Sequence, residues 1–316
     1  MVSSGYAIYR TLTTLVVLAG VSVLTFVFVH LTPGDAAATI LRARSGRTPP
    51  DHVVQSFRRQ HGLDEPLHVQ YGHWLLDVLQ GDLSTSYYSD RAVTELLLAH
   101  LPTTVELAVA SILVALLVSI PVGVLSAVHQ GEWVDMVGQL GALLGVSIPN
   151  FWLGYVLILV FSLRFGLFPV AGTGDFSHLV LPAVTLGSGM TAIITRVVRT
   201  SMLDVLDDEY VDVARSKGLR ERVVIYKHAL RNALIPVVTV VGLQFGFVMN
   251  GAVVVEVVFQ RPGLGTLLVD SVFARDYPVV QGVVLVIAVL FVLTNLAVDL
   301  TYHYLDPRIR SQGVRP

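Results

Sequence analysis

Two carboxylates stand out as candidates for chemistry, because ionisable side chains in apolar sequence are uncommon and often functional. Glu106 and Glu256 lie within or near apolar runs. Each has a plainer reading as an interfacial carboxylate paired with a neighbour or a helix amide. Asn150, Gln244 and Asn250 could line a polar pathway, although helix-to-helix hydrogen bonding explains them equally well. Five of the ten histidines, His52, His61, His68, His73 and His100, fall between residues 32 and 100. No His-x3-His pair exists, and the spacing of His68 and His73 suits one helical face poorly. Solvated histidines are the favoured reading, and no metal is expected. No Gly-x4-Gly-Lys-Ser/Thr loop is present to cradle a nucleotide, nor a His-Glu-x-x-His or a Gly-x-Ser-x-Gly elbow. No catalytic residue is expected, and the chain has no motor of its own.

The elements that must position these groups are set by composition. Of 316 residues, 53% are hydrophobic and 14% charged, against about 25% charged in soluble domains. With a mean hydropathy of +0.69, this is the balance of a polytopic membrane protein. A net charge of −2 advertises no nucleic acid. Cysteine is absent, which removes disulfides and thiolate ligands.

Six apolar runs follow along the chain, at residues 11–29, 107–128, 136–163, 179–195, 233–255 and 278–298. About 20 residues at 1.5 Å rise cross a hydrocarbon core, and in lipid each span must be helical. The first run is too long for a signal peptide and is expected to be retained. The third is expected to kink at Pro149. The fourth is read as short, broken by Pro182, Gly187 and Gly189, and the fifth as starting with Pro236 in its first turn. Residues 32–100 form a polar insert with short amphipathic helices, one around Val54, Phe57 and Arg58 and another from Val69 to Leu79, ended by Gly81. The stretch 42–50 is read as low-complexity. Gly141-x3-Gly145 and Gly242-x3-Gly246 are spacings that permit close helix contact.

One long charged segment lies among these runs, between the fourth and fifth. Asp207, Asp208, Glu209 and Asp212 precede Arg215 and Lys217, and Gly218 follows. Acids first and bases last suit a helix dipole, and glycine supplies the left-handed end. Glu221 to Leu230 reads as a second helix. Arginine and lysine set the topology. With both termini cytoplasmic, the inner segments hold Arg10, Arg308, Arg310 and Arg315, and eight bases between 196 and 231. The short outer loops hold only Arg164, Arg261 and Arg275. The loop 129–135 carries acids and no bases, against the trend.

Spacing then suggests a family. Ala214, Gly218 and Leu230 resemble the EAA loop of ATP-binding-cassette (ABC) importer permeases, with Asp212-Val-Ala214 in place of Glu-Ala-Ala and Leu230-Arg231 in place of Leu-Pro. Tyr210-Val-x-x-Ala-Arg-x-Lys-Gly-Leu219 and His228-Ala-Leu-Arg-Asn-Ala-Leu-Ile-Pro236 look specifically like the dipeptide/oligopeptide/nickel permeases. The likeness extends through Phe28–Asp35, Gly62–Tyr71, Gly81–Tyr87, Leu101–Leu107, Ser147–Gly154, Leu181–Gly187, Gly251–Glu256, Pro262–Gly265, Arg275–Pro278 and Asp306–Arg310. It covers nearly the whole chain, and specifically the B-type subunit with its long outer segment after the first helix.

The resemblance implies an all-α, six-span type I importer permease that carries peptides or, as the alternative, nickel complexes. Its partners would be a homologous C-type permease, two cytoplasmic ATPase subunits, an extracytoplasmic substrate-binding protein and membrane lipid, with no nucleic acid. No cofactor is expected on this chain, ATP and Mg residing on the ATPase subunits. The expected organisation is a first span in 1–31, an extracytoplasmic insert in 32–100, a transmembrane core in 101–305 with a coupling loop at 196–235, and a cytoplasmic tail at 306–316. Coupling would fall to Glu209, Tyr210, Asp212, Ala214, Arg215, Lys217, Gly218 and Leu230. Asn150, Gln244, Asn250 and Glu256 are candidates for the substrate path, Glu256 reaching an outer vestibule to orient a peptide amine. The competing class, a self-sufficient secondary carrier, would show paired broken helices and buried charges. An export permease is disfavoured by the single EAA-like loop and the outer insert.

Overall fold

The structure is a computed structural model that describes residues 4–31 and 34–305. Thr32 and Pro33 of the Phe28–Asp35 motif lie outside the described residues, as does the tail 306–316 with Asp306–Arg310 and Arg315. The helices are α1 (Ser4–Leu31), α2 (Ala36–Ser45), α3 (Asp51–Gln60), α4 (Leu67–Leu79) and α5 (Val93–Val128). Next come α6 (Trp133–Ser147), α7 (Asn150–Leu157) with a π-helical continuation at Ile158–Arg164, and α8 (Ser177–Leu206). Then follow α9 (Glu209–Ser216), α10 (Glu221–Val223) with a π-helical stretch Val224–Ala229, and α11 (Leu230–Leu243). The last described helices are α12 (Phe245–Val258), α13 (Leu264–Ala274) and α14 (Tyr277–Leu305). Among the described residues, five helices are long and apolar enough to span a membrane, six when the bent α6–α7 pair is counted as one span. The expected all-α, six-span class is what the structure has.

Several boundaries differ from the sequence reading, each for a local reason. The third run does not merely kink. Ile148 is extended (φ −89°, ψ 122°) because a residue before proline avoids the helical region, and the two arms diverge by 104°. The fourth run is neither short nor broken, since α8 is continuous for 30 residues through Pro182. Proline lacks the N–H that would bond to the carbonyl four residues back. That carbonyl, His178 O, instead accepts a bond from Arg261 Nη1 at 3.2 Å. Gly187 and Gly189 are close-approach points rather than breaks. The fifth run is divided, because the helix enters from Glu221, places Pro236 deep inside α11 and turns at Gln244 before α12. The stretch 42–50 is partly helix, α2 ending at the left-handed Gly46. Helix α5 begins at Val93, inside the expected insert.

The chain forms two compact units, one from residues 1–104 and 262–292, the other from 105–261 and 293–316. In the first, Ala37, Ile40, Val54, Phe57 and Tyr277 make one apolar cluster, and Val93, Leu97, Leu264, Val279 and Val283 another. Asp276 is buried and accepts bonds from Ser86 Oγ, Tyr87 N at 2.9 Å and Tyr88 N at 3.2 Å, tying the 84–90 loop to the start of α14. Ser22 with Tyr71 and His30 with Gln70 join α1 to α4.

The second unit is organised on α8, which packs against α6, α7, α11 and α12. Leu186, Met190, Ile194, Val198 and Met202 along it are fully buried. Two-thirds of its most apolar window is buried, against 11% for α1, so α8 is core and α1 presents most of its surface outward. Gly145, of the first small-residue pair, brings α6 against α8, where a Cβ would lie 3.0 Å from Ser188 O.

Candidate functional site

The charged segment folds as a stapled elbow between α8 and α11. Asp208 is extended (ψ 140°) and its carbonyl accepts Val211 N at 2.9 Å, which starts α9. Glu209 and Asp212 lie in the first turn and Arg215 in the last, the order that complements the helix dipole. Lys217 follows the helix. Gly218 then adopts φ +74°, and no atom lies within 4 Å of where its Cβ would be. Only the backbone conformation demands glycine there, not crowding. Arg215 reaches across the turn, with Nη1 on Asp212 Oδ1 at 3.2 Å and Nη2 on Glu221 Oε1 at 3.1 Å. Such exposed pairs contribute about 0.2–1 kcal/mol each. The Asp212 contact stays within α9, and the Glu221 contact crosses the turn to α10.

Packing holds the inner face. Val211, Ala214 and Val224 are buried together against Val205 and Leu206. Ala214 is small enough to let α9 lie close to this cluster. Tyr210 donates to His228 O at 3.4 Å and accepts from Asn232 Nδ2 at 2.7 Å, linking α9 to the π-helical stretch and to α11. Leu230, half-buried, opens α11. The outward face carries Val213, Leu219 and Tyr226, all exposed, beside the exposed bases Lys217, Arg220, Arg222 and Lys227. All eight residues expected for coupling therefore belong to one elbow, α9 to the start of α11.

The shaft above the elbow carries a pair that sequence reasoning missed. Asp135, in the first turn of α6, is 3% exposed and receives both Nε and Nη2 of Arg199 on α8 at 2.7 Å. Gln139 Nε2 at 2.8 Å and Gly131 N at 3.1 Å complete four donors on two carboxylate oxygens. The available signal was the base-free loop 129–135, whose acid finds its base on another helix.

The path candidates are partly brought together. The Asn150 amide lies between α8 and α12, its Nδ2 3.1 Å from where a Cβ on Gly251 would sit and its Oδ1 3.9 Å from one on Gly189. Gln244 occupies the α11–α12 turn, and its Nε2 is buried without a hydrogen-bond partner. Asn250 is exposed. Glu256 is fully buried on α12, so in this conformation it touches no solute. Glu106, 57% exposed at its side chain, accepts Arg261 Nη2 at 2.9 Å, while Arg261 is 2% exposed. Among the described residues no group of three or more His, Asp or Glu could hold a metal ion. Of the five insert histidines, His73 lies 3.3 Å from Glu65, and burial, then Arg44, pulls the pKa of His61 down.

Comparison with known proteins covers almost the whole chain. Residues 119–311 match the family model described as "Binding-protein-dependent transport system inner membrane component", and residues 4–108 match the corresponding N-terminal family. The chain is 45% identical over 305 residues to the glutathione transport system permease protein GsiC of Salmonella choleraesuis (strain SC-B67), covering 96% of this chain and 98% of that one. It is 46% identical, with the same coverage, to GsiC of Pectobacterium atrosepticum. Among solved structures, an inward-facing MetNI methionine ABC transporter matches with TM-score 0.55 and 19% identity, over 67% of this chain and 97% of that one. An amino acid ABC transporter matches with TM-score 0.53 and 15% identity, over 67% and 95%. At these identities the likeness is one of fold.

Proposed function

Given that this chain belongs to the family of inner membrane components of binding-protein-dependent transport systems, we propose that it is one of two permeases in an ABC importer of short peptides. It is a multi-pass inner membrane protein whose relatives are transport permeases. The finer reading adds a homologous C-type permease beside it, two ATPase subunits inside and a substrate-binding protein outside. ATP and Mg belong to the ATPase subunits, and this chain performs no hydrolysis. Both termini lie in the cytoplasm and the 32–100 insert lies outside. Peptide cargo is supported by relatives named for glutathione transport, glutathione being itself a tripeptide.

One observation supports the mechanical part: the elbow is cross-linked within and exposes apolar and basic side chains without. Its ends are fixed by Arg215 and Tyr210, its inner face by Val211 and Val224, and its outer face is apolar and basic. ATP-driven closure of the gripping subunits displaces this elbow as a lever. Because α8 runs unbroken from it into the core, the displacement reaches the helices packed around α8 and opens the bundle toward the binding protein.

The chain lacks cysteine, so single cysteines at Lys217 or Lys227 give an unambiguous test. A membrane-impermeant maleimide should label them in inverted vesicles stripped of the ATPase subunits and not in intact cells. The tagged chain should also bring ATPase subunits through purification, and those subunits should shield both positions. Labelling from outside the cell would remove the basis of the proposal.

A further inference from the structure

Within the unit formed by residues 105–261 and 293–316, a cavity of about 690 Å³ opens between α6 and α8. The two helices are antiparallel there, since Asp135 meets Arg199 at one end of their contact and Gly145 approaches Ser188 at the other. That register fixes the order of the lining. Glu132 and Thr200 lie at one end, beside the Asp135–Arg199 pair. Arg196 comes one turn further along the groove, level with Gln139 and Leu140. Met136, Leu140 and Leu143 make an apolar wall on α6, each more than half exposed.

The groups at the Asp135–Arg199 pair are already engaged, because both oxygens of Asp135 take two donors each from Arg199, Gln139 and Gly131. Glu132, Arg196 and Thr200 are exposed and take no part in that network. Thr195 also lines the cavity. It is 3% exposed, and its hydroxyl has no hydrogen-bond partner among the described residues. A helical threonine commonly bonds the carbonyl one turn back, and buried hydroxyls are normally bonded. The wall thus holds a donor to which the described chain supplies no acceptor.

Charge then narrows the occupant. Glu132 and Asp135 balance Arg196 and Arg199, so the lining as a whole is neutral. The two groups outside the network are one of each sign, set apart along the groove. An occupant with a cationic end, an anionic middle and an apolar remainder matches that order. Trp133, 71% exposed, flanks the Glu132 end, and tryptophan at the end of a span marks the membrane–water boundary. Such an occupant enters from the bilayer with its polar head at that boundary.

We propose that this cavity seats one zwitterionic phospholipid with a primary-ammonium headgroup. Its ammonium lies on Glu132, its phosphate on Arg196 and Thr200, an ester carbonyl on Thr195 and an acyl chain along Leu140 and Leu143. The site needs only the membrane location of the chain, so it stands whichever solute is carried.

The test places the assembled transporter in nanodiscs of equal parts phosphatidylethanolamine, phosphatidylcholine and phosphatidylglycerol, and reads retained lipid by native mass spectrometry. Phosphatidylethanolamine should be retained about tenfold over either competitor, because choline has no N–H donor and glycerol no cation. Arg196→Gln should cut its retention by a similar factor. Glu132→Gln should turn the preference toward phosphatidylglycerol, since Arg196 then faces no competing carboxylate. Both positions are exposed, so neither replacement threatens the fold. Equal retention of the three lipids, or an unchanged preference in either variant, overturns the site. Because the chain lacks cysteine, Leu140→Cys carrying a benzophenone maleimide reports what fills the cavity. A cross-link to lipid supports the proposal, and a cross-link to a second permease subunit overturns it.

Discussion

Asp135 and Arg199, 64 positions apart, meet through two parallel hydrogen bonds of 2.7 Å that join the first turn of α6 to the lower part of α8. The carboxylate is almost fully buried and the guanidinium mostly so. Each oxygen also takes one further donor, from Gln139 or from Gly131 N. The arrangement leaves no lone pair facing apolar surroundings unbonded, which is the condition under which burying a charge is tolerable. Arg199 stands about two turns from the end of α8. The joint ties α6 to the elbow-proximal half of α8, so a displacement of that half would carry α6 with it.

Breaking one side of the joint should cost more than removing both. Asp135→Leu or Arg199→Met alone leaves an uncompensated buried charge, a loss of about 3–5 kcal/mol. The pair Asp135→Leu with Arg199→Met should lie within about 1 kcal/mol of the parent, since apolar replacements of similar volume remove both charges. Thermal unfolding of the purified protein, treated as a double-mutant cycle, measures the coupling. Additive losses would show that the two side chains do not act together. Among variants that assemble, the double replacement should hydrolyse more ATP per peptide transported, because α6 is no longer tied to the lever.

Gly218 isolates backbone conformation from packing, because nothing crowds its missing Cβ while its φ is +74°. Asparagine tolerates the left-handed region and should support near-normal uptake. Alanine should cost about 1 kcal/mol, and a β-branched residue more. Coupling should thus fall in the order Gly218→Asn, Gly218→Ala, Gly218→Val, with ATPase activity retained and uptake lost in the last. The ratio of ATP hydrolysed to peptide transported, at equal membrane abundance, is the measurement. Undiminished coupling in Gly218→Val would remove the lever from the mechanism.

The elbow was legible in the sequence because its determinants are local. Acids at one end, bases at the other and a glycine beyond describe α9 without any tertiary information, and α9 forms there. The number of spans was legible for the same reason, since hydropathy is a property of a window. Where spans break was not. Pro182 looked like a breaker because its effect depends on a distant residue, Arg261, which takes the carbonyl that proline leaves unbonded. Gly187 and Gly189 looked like breaks because a glycine that admits a neighbouring helix has the same letter as one that ends a helix. The Asp135–Arg199 joint was invisible to window-based reading for a related reason, its halves being on different helices. Glu256 was recognisable as unusual, but its complete burial depends on packing around α12 that no single segment encodes.

The two glycines on and beside α8 separate those possibilities experimentally. A Cβ at Gly187 would lie 2.7 Å from Ser111 O, a backbone atom of α5 that cannot rotate away. A Cβ at Gly251 would lie 2.5 Å from Leu186 Cδ1, the far end of a side chain with other rotamers, and 3.1 Å from Asn150 Nδ2. Were Gly187 a flexibility point, alanine would stiffen the helix and raise stability by about 1 kcal/mol. As a contact point it must instead force α5 and α8 apart, at a net cost of about 1–3 kcal/mol. Gly187→Ala should accordingly lower the thermal midpoint more than Gly251→Ala. Gly20→Ala on α1, where nothing lies within 4 Å, should leave the midpoint unchanged or raise it. A midpoint for Gly187→Ala at or above that of Gly20→Ala would mean that α5 and α8 do not meet at Gly187.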